Sequence, residues 1–212
     1  MILKKNITKV FYLFLFFNLL LWTLIPSFSN LNLPLDTIEA LAWGSNLDWG
    51  FNKHPPLSAF AVEIFYLIFG GNDWSFYLLS QIFVAISFFA VWKFSNEIFE
   101  DKLYSLLSVL ILSGIYFYNF TTPEFNVNVS QLPFWALSVY FFWKSINLNK
   151  KIDWIFLGFF SALGFLSKYL FIYLIASFLI YFIFNFKKLK KLMPNCILSL
   201  LIFSLLLMPH LI

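Results

Sequence analysis

The chain has 212 residues, 61% hydrophobic, 23% aromatic and 11% charged, with a formal net charge of +4 and a mean hydropathy of +0.84. That balance excludes an ordinary soluble domain, implies no nucleic-acid partner, and matches a polytopic protein living in the lipid bilayer. All 14 basic residues are lysines, so the charge is informative through its placement.

Lys4, Lys5 and Lys9 precede an apolar run at 10–26, the first predicted span. A signal peptide is the alternative, with small Ser27 and Ser29 in "PSFSN", but the 17-residue run exceeds the usual h-region of about 7–15. Cleavage there would leave the topology unchanged. The segment 27–73 follows and contains "SNLNLPLDTIEALAWGSNLDWGFNKHPP". Pro34, then Asp36 as N-cap with Glu39 three residues on, then the stripe Ile38, Leu41 and Ala42, predict a short helix. It is expected to lie along the membrane surface. Gly44 and Gly50 permit the turn that ends it, while Trp43, Trp49 and Phe51 suit the headgroup level. The apolar stretch 57–69 is only 13 residues long and reads as interfacial or re-entrant.

Runs at 74–92, 103–120, 131–147 and 193–209 each predict one spanning helix. The run 153–186 has 34 residues, about 51 Å as one helix against a hydrocarbon core of about 30 Å. It is therefore expected to be two short helices turning near Ser167, Lys168 and Tyr169. Gly158, Ser161, Ala162 and Gly164 gather small residues suited to close helix packing. The total is about seven spans in an all-α membrane fold, with 1–212 as a single domain.

The positive-inside rule tests that count. With the N-terminus inside, Lys4, Lys5, Lys9, Lys93, Lys102, Lys144, Lys150, Lys151, Lys187, Lys188, Lys190 and Lys191 all fall on the inner side, 12 of 14. Making 57–69 a span, or 153–186 a single one, puts nine or four of these outside. The two exceptions, Lys53 and Lys168, share the outer face and call for another explanation.

The outer loop holds Asp36, Glu39, Asp48, Lys53 and His54, so one corner offers both a candidate base and a candidate anion site. Pro55 and Pro56 fix the backbone just after the cations. Helix capping and a solvated face are the alternative for the acids, and headgroup attraction that for Lys53 and His54. Lys168 is either snorkelling or a phosphate ligand. Glu124, Asn126 and Asn128 stand in the second outer loop, either as an ordinary polar loop or as hydrogen-bond partners of a sugar or acceptor. Glu63 is expected to pair with Lys53 or face the cavity, and His210 to be a headgroup-level residue. Two histidines without a cluster give no metal-site spacing, and Cys196 has no partner for a disulfide within the chain.

"LDTIEALAWGSNLDWGFNKHPPL", with "TTPEFNVN", "LPFWAL", "GFLSKY" and "PHLI" following in order, resembles the polyprenyl-phosphate-sugar-dependent glycosyltransferases. These are the protein O-mannosyltransferases and their bacterial relatives, the lipid A aminoarabinose transferases among them (glycosyltransferase family thirty-nine and neighbours). The resemblance implies a GT-C membrane fold with its active site on the outer face. It also implies inverting transfer from a polyprenyl-phosphate sugar donor to a hydroxyl of a glycan, lipid or protein, without a cofactor. Many members have adjacent Asp and Glu; here Thr37 follows Asp36 and the glutamate comes at Glu39, so both acids are catalytic candidates. The chemistry asks for a carboxylate to take the acceptor proton, assigned to Asp36. It also asks for cations to stabilise the leaving phosphate, assigned to Lys53, His54 and Lys168. Glu124, Asn126 and Asn128 are the substrate-binding candidates.

The implied location is a bacterial inner membrane. Relatives of this kind are longer, so an incomplete or accessory fragment, lacking residues beyond 212, is one alternative. A carrier or flippase is the other; the spans carry almost no charge and no inverted repeat, unlike most transporters.

Overall fold

The computed structural model describes residues 6–212, with Lys188 described by its backbone alone. Lys4 and Lys5 lie outside the described residues. Helix α1, Ile7–Ser29, leads through a short extended link into α2, Leu35–Gly44, and α3, Leu57–Phe69. Then come α4, Asp73–Ile98, α5, Lys102–Ser113, a 3₁₀ turn at Tyr116–Tyr118, and α6, Val127–Leu148. α7, Lys151–Ser167, ends in a second 3₁₀ turn at Tyr169–Phe171, followed by α8, Ile172–Phe184, the single-turn α9, Phe186–Leu189, and α10, Met193–Leu211. No strand occurs among the described residues.

This is an all-α membrane protein. Among the described residues, three stretches are long and apolar enough to cross a bilayer: Ile7–Ser29, Asp73–Ile98 and Lys190–Leu211. In the first and third only 17% of the apolar window is buried, so most of their hydrophobic surface points outward, where lipid is the compatible solvent. The run 153–186 is broken as expected: Lys168 adopts an extended conformation (φ −159°, ψ 132°) and ends α7. α3 is the short helix foreseen at 57–69, about 20 Å long. The run 103–120 differs from its expected single span. α5 stops at Ser113 and Gly114, two poor helix formers, and spans only about 18 Å.

α4 and α6 form the centre. Ser80, Ser87 and Ser95 on α4 and Ser130, Ser138 and Ser145 on α6 are buried, each set spaced seven and eight residues so that it shares one face. Such small polar residues let membrane helices approach closely, and the Ser161 and Ser138 hydroxyls are 3.4 Å apart between α7 and α6. At Gly158 a Cβ would lie 2.3 Å from the Ser199 carbonyl oxygen, so the bare glycine is what allows α7 to rest on α10. Phe11 of α1 stacks on Trp92 of α4 with centroids 4.4 Å apart.

The bundle has two chemically distinct ends. At one, the buried Asp153 pairs with Lys144 at 3.0 Å, Asn149 bonds Trp154 and Asn195, and Lys102 reaches Thr8. The other end gathers the end of α1, the start of α3, the start of α6, the turn after α7 and the end of α10.

Candidate active site

Two aromatic contacts shape the corner at "FNKHPPL". Trp43 of α2 stacks on Phe51 at 5.3 Å and meets the His54 ring edge-on at 5.8 Å. The Phe51 N–H closes a turn onto the His54 carbonyl at 3.3 Å, and Pro55 and Pro56 are buried behind it. Lys53 is thereby presented outward, and its Nζ binds both carboxylate oxygens of Glu39, at 2.9 and 3.2 Å. That bond holds the Lys53 amine above the ordinary lysine value. The expected Lys53–Glu63 pairing is replaced by Lys53–Glu39, and Glu63 packs instead against Gly44.

Asp36 is not the N-cap of α2. Pro34 holds that position, with Asp36 in the first turn. A helix start leaves N–H groups unpaired, and the Asp36 N–H is taken by Glu124 Oε1 at 3.1 Å, from a loop 88 residues away. Next to it the Thr37 hydroxyl donates to the Phe125 carbonyl at 3.1 Å. The Asp36 carboxylate is thus released from capping, and its Oδ2 accepts from the Asn126 side-chain amide at 3.3 Å. Asn126 caps α6 as well, its Oδ1 accepting from the Asn128 and Val129 N–H groups. One asparagine therefore starts a helix and orients the acid.

Lys168 donates to the Asn128 side-chain oxygen, and partial burial lowers its amine below the ordinary lysine value. His54 feels the charges of Lys53, Glu39, Lys168 and Asp36, so all five groups share one electrostatic neighbourhood. Burial first, then Lys53, pushes the imidazole below its ordinary 6.5. That direction works against the cationic role expected for His54 from sequence.

Asp36 lies where two clefts meet. One is lined by Glu39, Trp43, His54, Ser58 and Asn126. The other, about 420 Å³, is lined by Phe117, Thr121, Glu124, Asn126, Asn128 and Gln131. Asp36, Glu39, Lys53, His54, Glu124, Asn126, Asn128 and Lys168 are all brought to this end. Among the described residues no cluster of three His, Cys, Asp or Glu side chains suited to a metal ion occurs. Trp43, Thr37 and His210 belong to the site region as well. His210 bonds Trp49 and Tyr169.

A family model described as dolichyl-phosphate-mannose-protein mannosyltransferase matches residues 53–212. The chain belongs to this family. The match takes in Lys53, His54, Glu124, Asn126, Asn128, Lys168 and His210, and begins after Asp36 and Glu39. The chain is also similar to an undecaprenyl phosphate-alpha-4-amino-4-deoxy-L-arabinose arabinosyl transferase of Wigglesworthia glossinidia brevipalpis. The two are 29% identical over 148 residues, 66% of this chain and 25% of that protein. The chain thus spans about a quarter of the length of that relative. No solved structure matches.

Proposed function

We propose that this chain forms the membrane part of an inverting glycosyltransferase that moves a sugar from a polyprenyl-phosphate donor to an acceptor hydroxyl at the outer face. The polyprenyl-phosphate donor is taken from the name of the bacterial relative and from the family. The seven-span topology with the N-terminus inside, the bacterial inner membrane and the single domain around the loop 27–73 belong to the same reading, on the strength of the lysine distribution.

The observation that carries it is the placement of Asp36 between a narrow cleft lined by Glu39 and by His54, which feels the charges of Lys53 and Lys168, and a cleft lined by Glu124 and amides. The acceptor oxygen attacks the anomeric carbon from the Glu124 side and its proton passes to the Asp36 carboxylate. The bond from that carbon to the phosphate oxygen breaks, and the electron pair leaves on the polyprenyl phosphate. Lys53 and Lys168 meet the charge growing there, while His54 donates a hydrogen bond. Asn126 aims Asp36, Asn128 aims Lys168, and Glu39 holds Lys53 until phosphate replaces it.

The test is transfer of labelled sugar from a polyprenyl-phosphate sugar to membrane acceptors by the purified chain. Asp36→Asn is expected to lower transfer by about 10²–10⁴-fold, the span of general-base catalysis, with donor binding retained. Full transfer by Asp36→Asn, or donor binding indifferent to Lys53→Ala and Lys168→Ala together, sinks the assignment.

A further inference from the structure

The two lysines of the polar end stand on separate segments: Lys53 on the loop between α2 and α3, Lys168 on the turn after α7. Lys53 is engaged with Glu39 and Lys168 with Asn128, so neither lysine holds the other's segment. His210, in the last turn of α10, joins them. Its Nδ1 meets the Trp49 carbonyl, and its Nε2 lies 3.0 Å from the Tyr169 hydroxyl. A carbonyl only accepts, so Nδ1 carries the proton, and Nε2 of the neutral ring accepts from the Tyr169 O–H. Both nitrogens are satisfied by one tautomer.

Each end of this link is anchored. The Trp49 ring sits edge-on against Phe60 of α3 at 5.3 Å, and Gly50 is close enough that a Cβ there would touch the imidazole at 3.4 Å. Tyr169 is the neighbour of Lys168, and Phe171, two residues on, is fully buried. We infer that His210 is a positioning residue, a clasp that fixes the Lys53 loop to the Lys168 turn and so sets the spacing of the two amines. Its consequence for donor binding rests on the function proposed above, whereas the clasp does not. Charge-assisted contacts to phosphate close at about 2.7–2.9 Å, so one anion meets both amines only when their spacing is held, and a shift near 1 Å in a positioning group is costly.

The experiment uses the full chain in lipid nanodiscs with Cys196→Ser, spin labels at Asn52→Cys and Leu170→Cys, both exposed, and pulsed electron–electron distance measurement. A single narrow distance is expected, broadening in His210→Ala and in Tyr169→Phe. His210→Asn, whose amide reproduces the donor to Trp49, is expected to fall between. Binding of a polyprenyl phosphate should weaken about tenfold in His210→Ala, with Asn recovering part of it, and Tyr169→Phe added to His210→Ala should cost nothing more. An unchanged distance distribution in both His210→Ala and Tyr169→Phe overturns the clasp; Tyr169→Phe removes one hydroxyl and keeps the question open to test if His210→Ala does not fold. A His210-dependent distance in a protein that binds no polyprenyl phosphate leaves the clasp standing and overturns the donor-binding role.

Discussion

Gly164→Ala connects helix packing to the site through one atom. A Cβ at Gly164 would lie 2.2 Å from Phe171 Cε2 and 2.5 Å from Cδ2 and Cζ. Ordinary contact begins at 3.4 Å, so the ring must retreat by 3.4 − 2.2, about 1.2 Å. Phe171 has nowhere to go, being fully buried and edge-on to Trp135 at 5.6 Å. Overpacking of this kind costs roughly 1–3 kcal/mol, and at about 2–4 °C per kcal/mol for a chain of this size Tm should fall by about 2–12 °C. Cys196, half-buried in the apolar cavity between α7, α8 and α10, supplies the assay: a thiol-reactive fluorophore reports its exposure on heating. Gly71→Ala is the control, since its nearest neighbour would be Tyr66 Cε2 at 3.7 Å. The turn that moves carries Lys168, so polyprenyl phosphate binding should weaken together with Tm. An equal Tm for Gly164→Ala and Gly71→Ala would refute the packing argument.

Glu39→Gln removes the carboxylate that occupies Lys53. An exposed pair is weak, so polyprenyl phosphate should bind modestly more tightly in a titration, and weaker binding would make Glu39 a ligand-contacting group. Asn126→Ala deletes the cap of α6 and the amide that orients Asp36; the cap alone predicts about 1 kcal/mol lost in thermal unfolding, with transfer falling further than that loss explains. His54 titrates below 6.5 when folded, so the unfolded chain binds its proton more readily and stability is lost as pH falls below about 6.5. His54→Gln should flatten that part of the stability–pH curve, and Lys53→Ala should raise the His54 titration midpoint measured by NMR.

What the sequence made legible followed from length and local pattern. The break at Lys168 was readable because 34 apolar residues exceed one bilayer crossing, and the packing role of Gly158 and Gly164 because small residues recur close together. The early end of α5 was not, since the run 103–120 carries a Ser–Gly pair but no charge or proline to stop it. At Asp36 the local pattern suggested self-capping, yet the N–H partner is Glu124, 88 residues on, and no local rule encodes such a pair. His210 is a single histidine after apolar sequence, and only the fold reveals that Trp49 and Tyr169 converge on it. The downward pull on the His54 imidazole was hidden for a related reason: composition does not report the burial and the Lys53 field that cause it.

Lys53 and Lys168 are held in different ways, and the difference bears on how a phosphate would arrive. Lys53 rests in an ion pair with Glu39, half exposed and therefore weak. Lys168 rests on a neutral amide and is partly desolvated, so its charge is uncompensated by any direct ion pair among the described residues. An incoming anion consequently gains most at Lys168, where it supplies the missing counter-charge, and less at Lys53, where it must displace Glu39. On the function proposed above, capture at Lys168 would come first and closure by Lys53 second. Double variants order the events: Glu39→Gln should enhance phosphate binding in the presence of Lys53 and do nothing in Lys53→Ala, whereas Lys168→Ala should weaken binding in either background.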